Sequence, residues 1–390
     1  MKLLSFLQCL LVIAATTVMV ACDDDSPELK EEPVVVPTPP AEEPTLPEDV
    51  PGLPSKDWYK GRVCGIALNS NVPLVQLAYK TPERYFAFES AQFDFVTATE
   101  DCSTVYQACS VSKVVFSYCI MRLIDRGIID LDKPLWEYLG YVEDRFQNVS
   151  NDSEKNAKNV EYAKMLTARI VLTHRTALPN WAANGGPNTE KLVFKEQPGL
   201  SYNYSGEGIW YLQRVVEHIT GMGLEALAQQ ECFVPLGMTS TSYAWQPEYA
   251  QLAAYGYSAD LVRSGQASSM QANAAYSMRT NVKDFSLFIE ALMEGKGLSR
   301  EIHQEMFRPQ SYLEAEGRYF GLGIRINPNA GQECGPVYVH SGSNFNFRCR
   351  FWIFPKLKTY FVYFTNSANG ANIHPDLVDL FMPNYTGTEF

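Results

Sequence analysis

Histidine is sparse in this chain, and its spacing is the first exclusion. Five occur in 390 residues, at 174, 218, 303, 340 and 374, and no two stand at metal-ligand spacing, which argues against a zinc hydrolase. Cysteines are present without pairing. After Cys9 and Cys22 come Cys64, Cys102, Cys109, Cys119, Cys232, Cys334 and Cys349, scattered, odd in number and without a C-x-x-C. Neither a zinc site nor a disulfide framework follows, and small buried apolar residues are expected instead. The Gly-x-Ser-x-Gly elbow of one large hydrolase class is missing. Positive charge is also short: the formal charge is −12 with no basic stripe, so nucleic acid is excluded as a partner. Beyond the N-terminal segment no run is long and apolar enough to span a membrane. Nothing in these patterns calls for a metal or a cofactor.

What is present begins with a leader. "MKLLSFLQCLLVIAATTVMVAC" has one lysine, an apolar core and small residues before Cys22, so residues 1–21 are expected to be a secretory signal. Its ending, Met19-Val20-Ala21-Cys22, resembles the lipobox of bacterial lipoproteins, with Met19 a departure from the usual Leu. That resemblance implies a lipidated Cys22 as the mature N-terminus, a membrane partner through that anchor, and an address at the outer membrane in the cell envelope of a Gram-negative bacterium. Asp23-Asp24-Asp25 is similar to the surface-export signals of Bacteroidota lipoproteins. Residues 22–56 hold nine prolines, Pro27 to Pro54, and ten carboxylates against Lys30 and Lys56, which is −8 of the net −12. Such a composition predicts an extended, solvated tether.

The remainder, 57–388, is expected to be one domain. Short apolar runs over 57–108 ("GRVCGIALNS", "RYFAFES", "FDFVTAT") read as antiparallel strands. Helical patterns follow at 110–126, 159–173, 206–230 and 277–295, and strand patterns return in "PVYVHSG", "FRCRFWIFP" and "TYFVYFTN". Strands, helices and strands again predict an α+β fold whose antiparallel sheet joins both chain ends, with a helical part at about 115–270 inserted. A monomer is expected.

Three short stretches carry candidate chemistry. Ser110 is the only serine followed at +3 by lysine, Lys113, and the pair opens a run read as an amphipathic helix. An ordinary alternative is a serine N-cap followed by a solvated lysine. Val114, Val115 and Phe116 instead suggest that Lys113 turns inward, where an unpaired amine loses its proton and becomes a base beside a hydroxyl. In "QPGLSYNYSGEGIWYLQ" Tyr204 precedes a helix and could relay a proton if nearby cations depressed its pKa. In "VYVHSGSNFNFRCRFWIFP" His340 lies on a strand. Gly342 would let a substrate lie against its edge, where backbone N–H groups could hold an oxyanion.

Ser-x-x-Lys at 110, Tyr-Ser-x at 204 and His-x-Gly at 340, in that order, resemble the motifs of the serine β-lactamase-related family. The branch with class C β-lactamases, D-Ala-D-Ala carboxypeptidases, D-amino-acid peptidases and β-lactamase-like esterases fits best. "IVLTHRTALPNW" is similar to that family's Thr-His-Thr-Ser-Gly-Leu-Pro stretch, with Arg175 and Ala177 as departures, and the likeness covers about 100–367. The resemblance implies Ser110 as acylated nucleophile, Lys113 as proton acceptor and Tyr204 as assisting base and proton donor. It also implies an oxyanion hole from the N–H groups of Ser110 and Ser343, with His340 and Ser341 where β-lactamases have Lys-Thr. Gly206 stands where many relatives have an amide-binding Asn, which implies a wider pocket. Arg348 or Arg350 is expected to supply the cation that His340 lacks. Ester, amide or D-peptide substrates, small-molecule or cell-wall, are implied ahead of β-lactams, and a non-catalytic peptidoglycan- or peptide-binding role is the further alternative.

Overall fold

The computed structural model describes residues 46–182, 190–268, 270–328 and 333–385. The signal, Cys22 and most of the tether lie outside the described residues. The end of the predicted tether is bonded to the domain: Tyr85 N donates to Pro47 O at 3.2 Å, and Arg84 Nη1 donates to Pro54 O at 2.6 Å. The last ten residues or so of 22–56 are therefore docked on the domain rather than a free tether, although most of them stay exposed.

The first correction in the domain is its opening element. "GRVCGIALNS" is not a strand but part of helix α1, Lys56–Asn69. Ser55 Oγ caps it by accepting from Trp58 N, and Asp57 lies in its first turn, where carboxylates suit the helix dipole. Its buried residues Tyr59, Val63 and Ala67 are spaced by four and form one stripe. Gly61 and Gly65 face open space and weaken the helical signal.

Eight strands form one antiparallel sheet in the order β2-β1-β10-β9-β8-β7-β6-β5. β1 (Leu74–Lys80) and β2 (Tyr85–Ala91) come from the start of the domain. β5 (Ser311–Leu313), β6 (Arg318–Phe320), β7 (Arg325–Asn327), β8 (Val337–Asn344), β9 (Phe347–Phe354) and β10 (Thr359–Thr365) come from its end. β1 pairs with β10, Val75 opposite Thr365, so the sheet joins both chain ends as expected. A minor pair links β3 (Tyr106–Gln107) to β4 (Arg279–Thr280).

Both sheet faces are covered. In β10, Phe361 and Tyr363 join Tyr59, Val63 and Phe381 under α1 and the C-terminal helix His374–Phe381. Tyr360, Val362 and Phe364 belong to the larger core beneath the inserted helices, with Phe116, Phe285 and Phe288. This period of two is what strand geometry requires of a doubly covered sheet. Each fully buried aromatic or aliphatic side chain contributes roughly 1.5–3 kcal/mol.

Several helical runs end earlier than their patterns suggest. The 206–230 run breaks into Gly206–Thr220 and Leu224–Ala228 at Gly221, whose φ is +66°. Likewise 159–173 is two helices, Ser153–Lys164 and Ala168–Leu172, each with its own cap, Asp152 and Thr167. The last run begins at Val282, capped by Asn281. Helix α2, Ser112–Asp125, is buried almost all round rather than amphipathic. Its polar Arg122 is spent on Glu231, a fully buried carboxylate that it meets at 3.1 Å. All seven cysteines among the described residues are free thiols, and all but Cys64 are buried.

Candidate active site

The nucleophile turn is built by the β3–β4 pair. Ala108 N donates to Met278 O at 2.8 Å, and the chain then enters a single 3-10 turn, Cys109–Val111, that runs into α2. Cys109 sits at φ +52°, a left-handed conformation that costs a non-glycine residue about 1–2 kcal/mol. The surroundings enforce it: Ser112 Oγ donates to Cys109 O at 2.5 Å and accepts from Met278 N at 3.2 Å. Gly342 of β8 presses on the same turn, since a Cβ there would lie 2.7 Å from Ala108 O and 2.8 Å from Cys109 Cβ. Gly342 thus serves close packing of strand on turn, not substrate room. Ser110 does not cap α2, whose N-cap position is Val111 with no side-chain bond. The ordinary cap reading fails.

Lys113 turns inward. It is 2% exposed, and its Nζ donates to Ser110 Oγ at 3.3 Å and to Ala275 O at 2.6 Å. Neither partner is a carboxylate. Burial therefore holds its pKa down to about 7, because the interior penalises the ammonium and nothing of opposite charge compensates.

Tyr204 lies against that amine, with Lys113 Nζ 4.8 Å from its ring centroid. Its Oη is buried and makes no hydrogen bond, although the Ser110 hydroxyl is close enough to act on its titration. The depression by nearby cations, on which its relay role was made conditional, is absent. Burial raises Tyr204 to about 12, so at neutral pH it is a phenol that can donate or relay a proton but is no resting base. His174 stacks on it at 4.2 Å and accepts Ser205 N through Nδ1 at 3.1 Å, which orients the loop. His340 is buried, its Nδ1–H donating to Ser341 O at 2.8 Å while Nε2 is without a partner. Burial first, then the charges of Arg325 and Lys113, push His340 well below its usual range. It is a neutral imidazole.

Ser110, Lys113 and Ser343 line a cavity of about 190 Å³, together with Asn180, Trp181, Met270, Ala275, Tyr276, Asn344 and Phe345. β7 pairs β8 only as far as Val339, so among the described residues that edge of β8 from His340 to Asn344 has no neighbouring strand. Not every expected residue arrives there. Ser341 shares the strand face of Val337 and Val339 by alternation and is not part of the lining. Arg348 donates to Phe345 O and Phe347 O, both at 2.8 Å, and Arg350 lies 4.8 Å over the Trp352 ring, buried. Both are on the far face of the sheet, so neither replaces the missing cation. Besides Lys113, the charge that acts on both His340 and Tyr204 is that of Arg325 of β7, which the sequence reading did not single out. Gly206 does not widen the pocket either: a Cβ there would lie 2.5–2.9 Å from three indole carbons of Trp181. Trp181 fills that space, and no sequence pattern announces a contact between a loop and a helix start.

Residues 94–379 match the Beta-lactamase family. The chain belongs to the beta-lactamase family. It is 24% identical over 153 residues to the lovastatin esterase of Penicillium rubens, a match covering 34% of this chain and 38% of the esterase. Among solved structures it is similar to an octameric penicillin-binding protein homologue from Pyrococcus abyssi, with a TM-score of 0.68, 18% identity, and 83% and 76% of the two chains covered. A class C beta-lactamase gives a TM-score of 0.67 at 14% identity, over 86% of this chain and 97% of the other. The matches span 38–55% of the lengths of the curated relatives. The beta-lactamase-like fold, a mixed α/β architecture on an antiparallel sheet, is thereby established. Among the described residues no group of His, Cys, Asp and Glu could hold a metal ion, and no helix is long and apolar enough to cross a membrane.

Proposed function

We propose that the protein is an exported serine hydrolase that works through an acyl-enzyme on Ser110, on ester, amide or D-amino-acid-type peptide substrates. One observation carries the reading: a buried lysine without a carboxylate, held to about 7 and placed 3.3 Å from a cavity-lining serine hydroxyl. An amine that titrates there is a usable base at neutral pH, and a purely structural lysine would be paired or exposed.

In the proposed cycle Lys113 takes the Ser110 proton as Oγ attacks the acyl carbon. The N–H groups of Ser110 and Ser343 hold the oxyanion. The departing group takes a proton from the Tyr204 hydroxyl, which regains one from the Lys113 ammonium. Water then attacks the ester carbonyl, gives its proton to Lys113, and Ser110 recovers its own. A neutral His340, with Arg348 and Arg350 turned away, leaves β8 and β9 with no cation facing the cavity, which favours neutral esters and amides over β-lactams.

Export and anchoring rest on the leader, the acidic Pro-rich stretch and Cys22. A Cys22→Ser protein should leave the membrane fraction, and one that stays bound would end the anchor proposal. For the chemistry, a fluorophosphonate probe followed by mass spectrometry should find the adduct on Ser110. An unlabelled Ser110 would leave a peptidoglycan- or peptide-binding protein as the better account.

A further inference from the structure

Glu89 of β2 is 1% exposed, and among the described residues its carboxylate is held by hydroxyl, amide and backbone donors instead of a cation. Oε1 accepts from Tyr106 Oη at 2.6 Å and from Gln76 Nε2 at 3.3 Å. Oε2 accepts from Thr99 Oγ1 at 2.8 Å, from Thr104 Oγ1 at 2.9 Å and from Thr99 N. Gln76, opposite Glu89 in the β1–β2 pair, accepts Val282 N at 2.8 Å through Oε1 and donates to Thr104 O at 3.1 Å. Two of the residues tied here lead to the reacting pair. Tyr106 opens β3, and the chain reaches Ser110 four positions on. Val282 follows β4, the partner strand of β3, and the stretch before β4 supplies Ala275 O, which holds Lys113 Nζ at 2.6 Å. A carboxylate that only fastened an edge strand could be replaced by an apolar side chain at no loss, because desolvating it is costly.

We infer that Glu89 is a positioning residue for the Ser110–Lys113 pair. It anchors β3 through Tyr106 and the start of helix Val282–Glu294 through Gln76, and so fixes the nucleophile turn against the carbonyl that orients the lysine. This rests on the acyl-enzyme reading above. The anchor matters because displacing a reacting group by about 1 Å can cost about 10²-fold in rate. Its action is through geometry, since the groups that face the Lys113 amine are Ser110, Cys109, Tyr204, His174 and His340. The two modes of action differ in sign. Losing a nearby anion would lower the pKa of an ammonium, whereas a loosened site admits water to the amine and raises it from about 7 toward the ordinary lysine value.

The test is the rate at which a fluorophosphonate labels Ser110 between about pH 5 and 9, with folding checked by circular dichroism. Tyr106→Phe cuts the tie to β3 alone. Glu89→Gln keeps the shape and disturbs the whole cluster, and Thr99→Val removes a donor on the side that does not lead to Ser110. Tyr106→Phe and Glu89→Gln should label roughly 10- to 100-fold more slowly, with the rising limb moved to higher pH. Thr99→Val should lose stability in urea and keep the wild-type limb. If Glu89→Gln does not fold, Tyr106→Phe decides alone. A folded Tyr106→Phe protein with the wild-type rate and limb, or with its limb moved to lower pH, would overturn the assignment and leave the hydrolase reading standing. So would a Thr99→Val limb displaced as far as that of Tyr106→Phe, since the cluster would then act through stability alone. A wild-type Ser110 that is not labelled would end the hydrolase reading and this inference with it.

Discussion

The two ends of helix α2 treat a buried ionisable group in opposite ways. Near its C-terminus Arg122 and Arg126 meet the fully buried Glu231 at 3.1 and 2.5 Å. Desolvation pulls against the Glu231 charge, yet the two guanidiniums hold its carboxyl below the usual range. Near its N-terminus Lys113 has a hydroxyl and a carbonyl for partners and no carboxylate, so burial dominates its titration. One end keeps its charges by pairing them, which is architecture. The other sheds its proton near neutrality, which is a reagent in waiting.

The sharpest way to break that contrast is at Lys113. Lys113→Arg keeps a cation but cannot release its proton near neutral pH, so acylation of Ser110 should drop by about 10²–10⁴-fold, as loss of a general base does. Stopped-flow acylation kinetics would measure it, and a near-normal rate would move the base role elsewhere. Ser110→Ala should abolish turnover with the fold intact, since Ser110 caps nothing; circular dichroism and ester turnover check both halves.

A paired site should fail differently, in stability rather than chemistry. Arg145→Leu would strand the fully buried Glu207, with an expected loss of about 3–5 kcal/mol in urea unfolding. The loop carrying Asn180 and Trp181 would loosen with it. Packing comes next. Gly206→Ala drives a methyl into the Trp181 ring and should cost about 1–3 kcal/mol. In a Trp181→Ala background that cost should vanish, and a double-mutant cycle that adds linearly would disprove the contact. The smallest effect belongs to Ala177, buried at φ +60°, where Ala177→Gly should gain up to about 1 kcal/mol by relieving a left-handed alanine.

Much of this arrangement was legible because it is local. The Ser110–Lys113 spacing, the strand bearing His340 and the return of strand patterns after residue 335 are all short-range signals. They place the pair on one helical turn and predict a sheet shared by both chain ends. The misreadings arose where tertiary contacts decide. α1 looked like a strand because Val63, Cys64, Ile66 and two glycines outweighed the Ser55 cap and the 59-63-67 stripe. Arg348 and Arg350 were assigned to the pocket by nearness in sequence, but strand alternation sends them to the other face of the sheet. Neighbouring cations were the condition for an acidified Tyr204, and its burial outweighs them. Trp181 over Gly206, and Arg325 behind His340, come from loops and strands far along the chain, so no spacing could announce them.

The central claim is that a neutral Lys113 activates Ser110, and the pH dependence of acylation tests it most directly. Burial lowers the lysine to about 7, and only the deprotonated amine can accept the serine proton. The rate should therefore rise tenfold per pH unit below that value and level off above it, with an apparent pKa near 7. Lys113→Ala should lose this limb along with most of the rate. A wild-type profile that is flat from about pH 5 to 9, or a limb that persists in Lys113→Ala, would contradict the account.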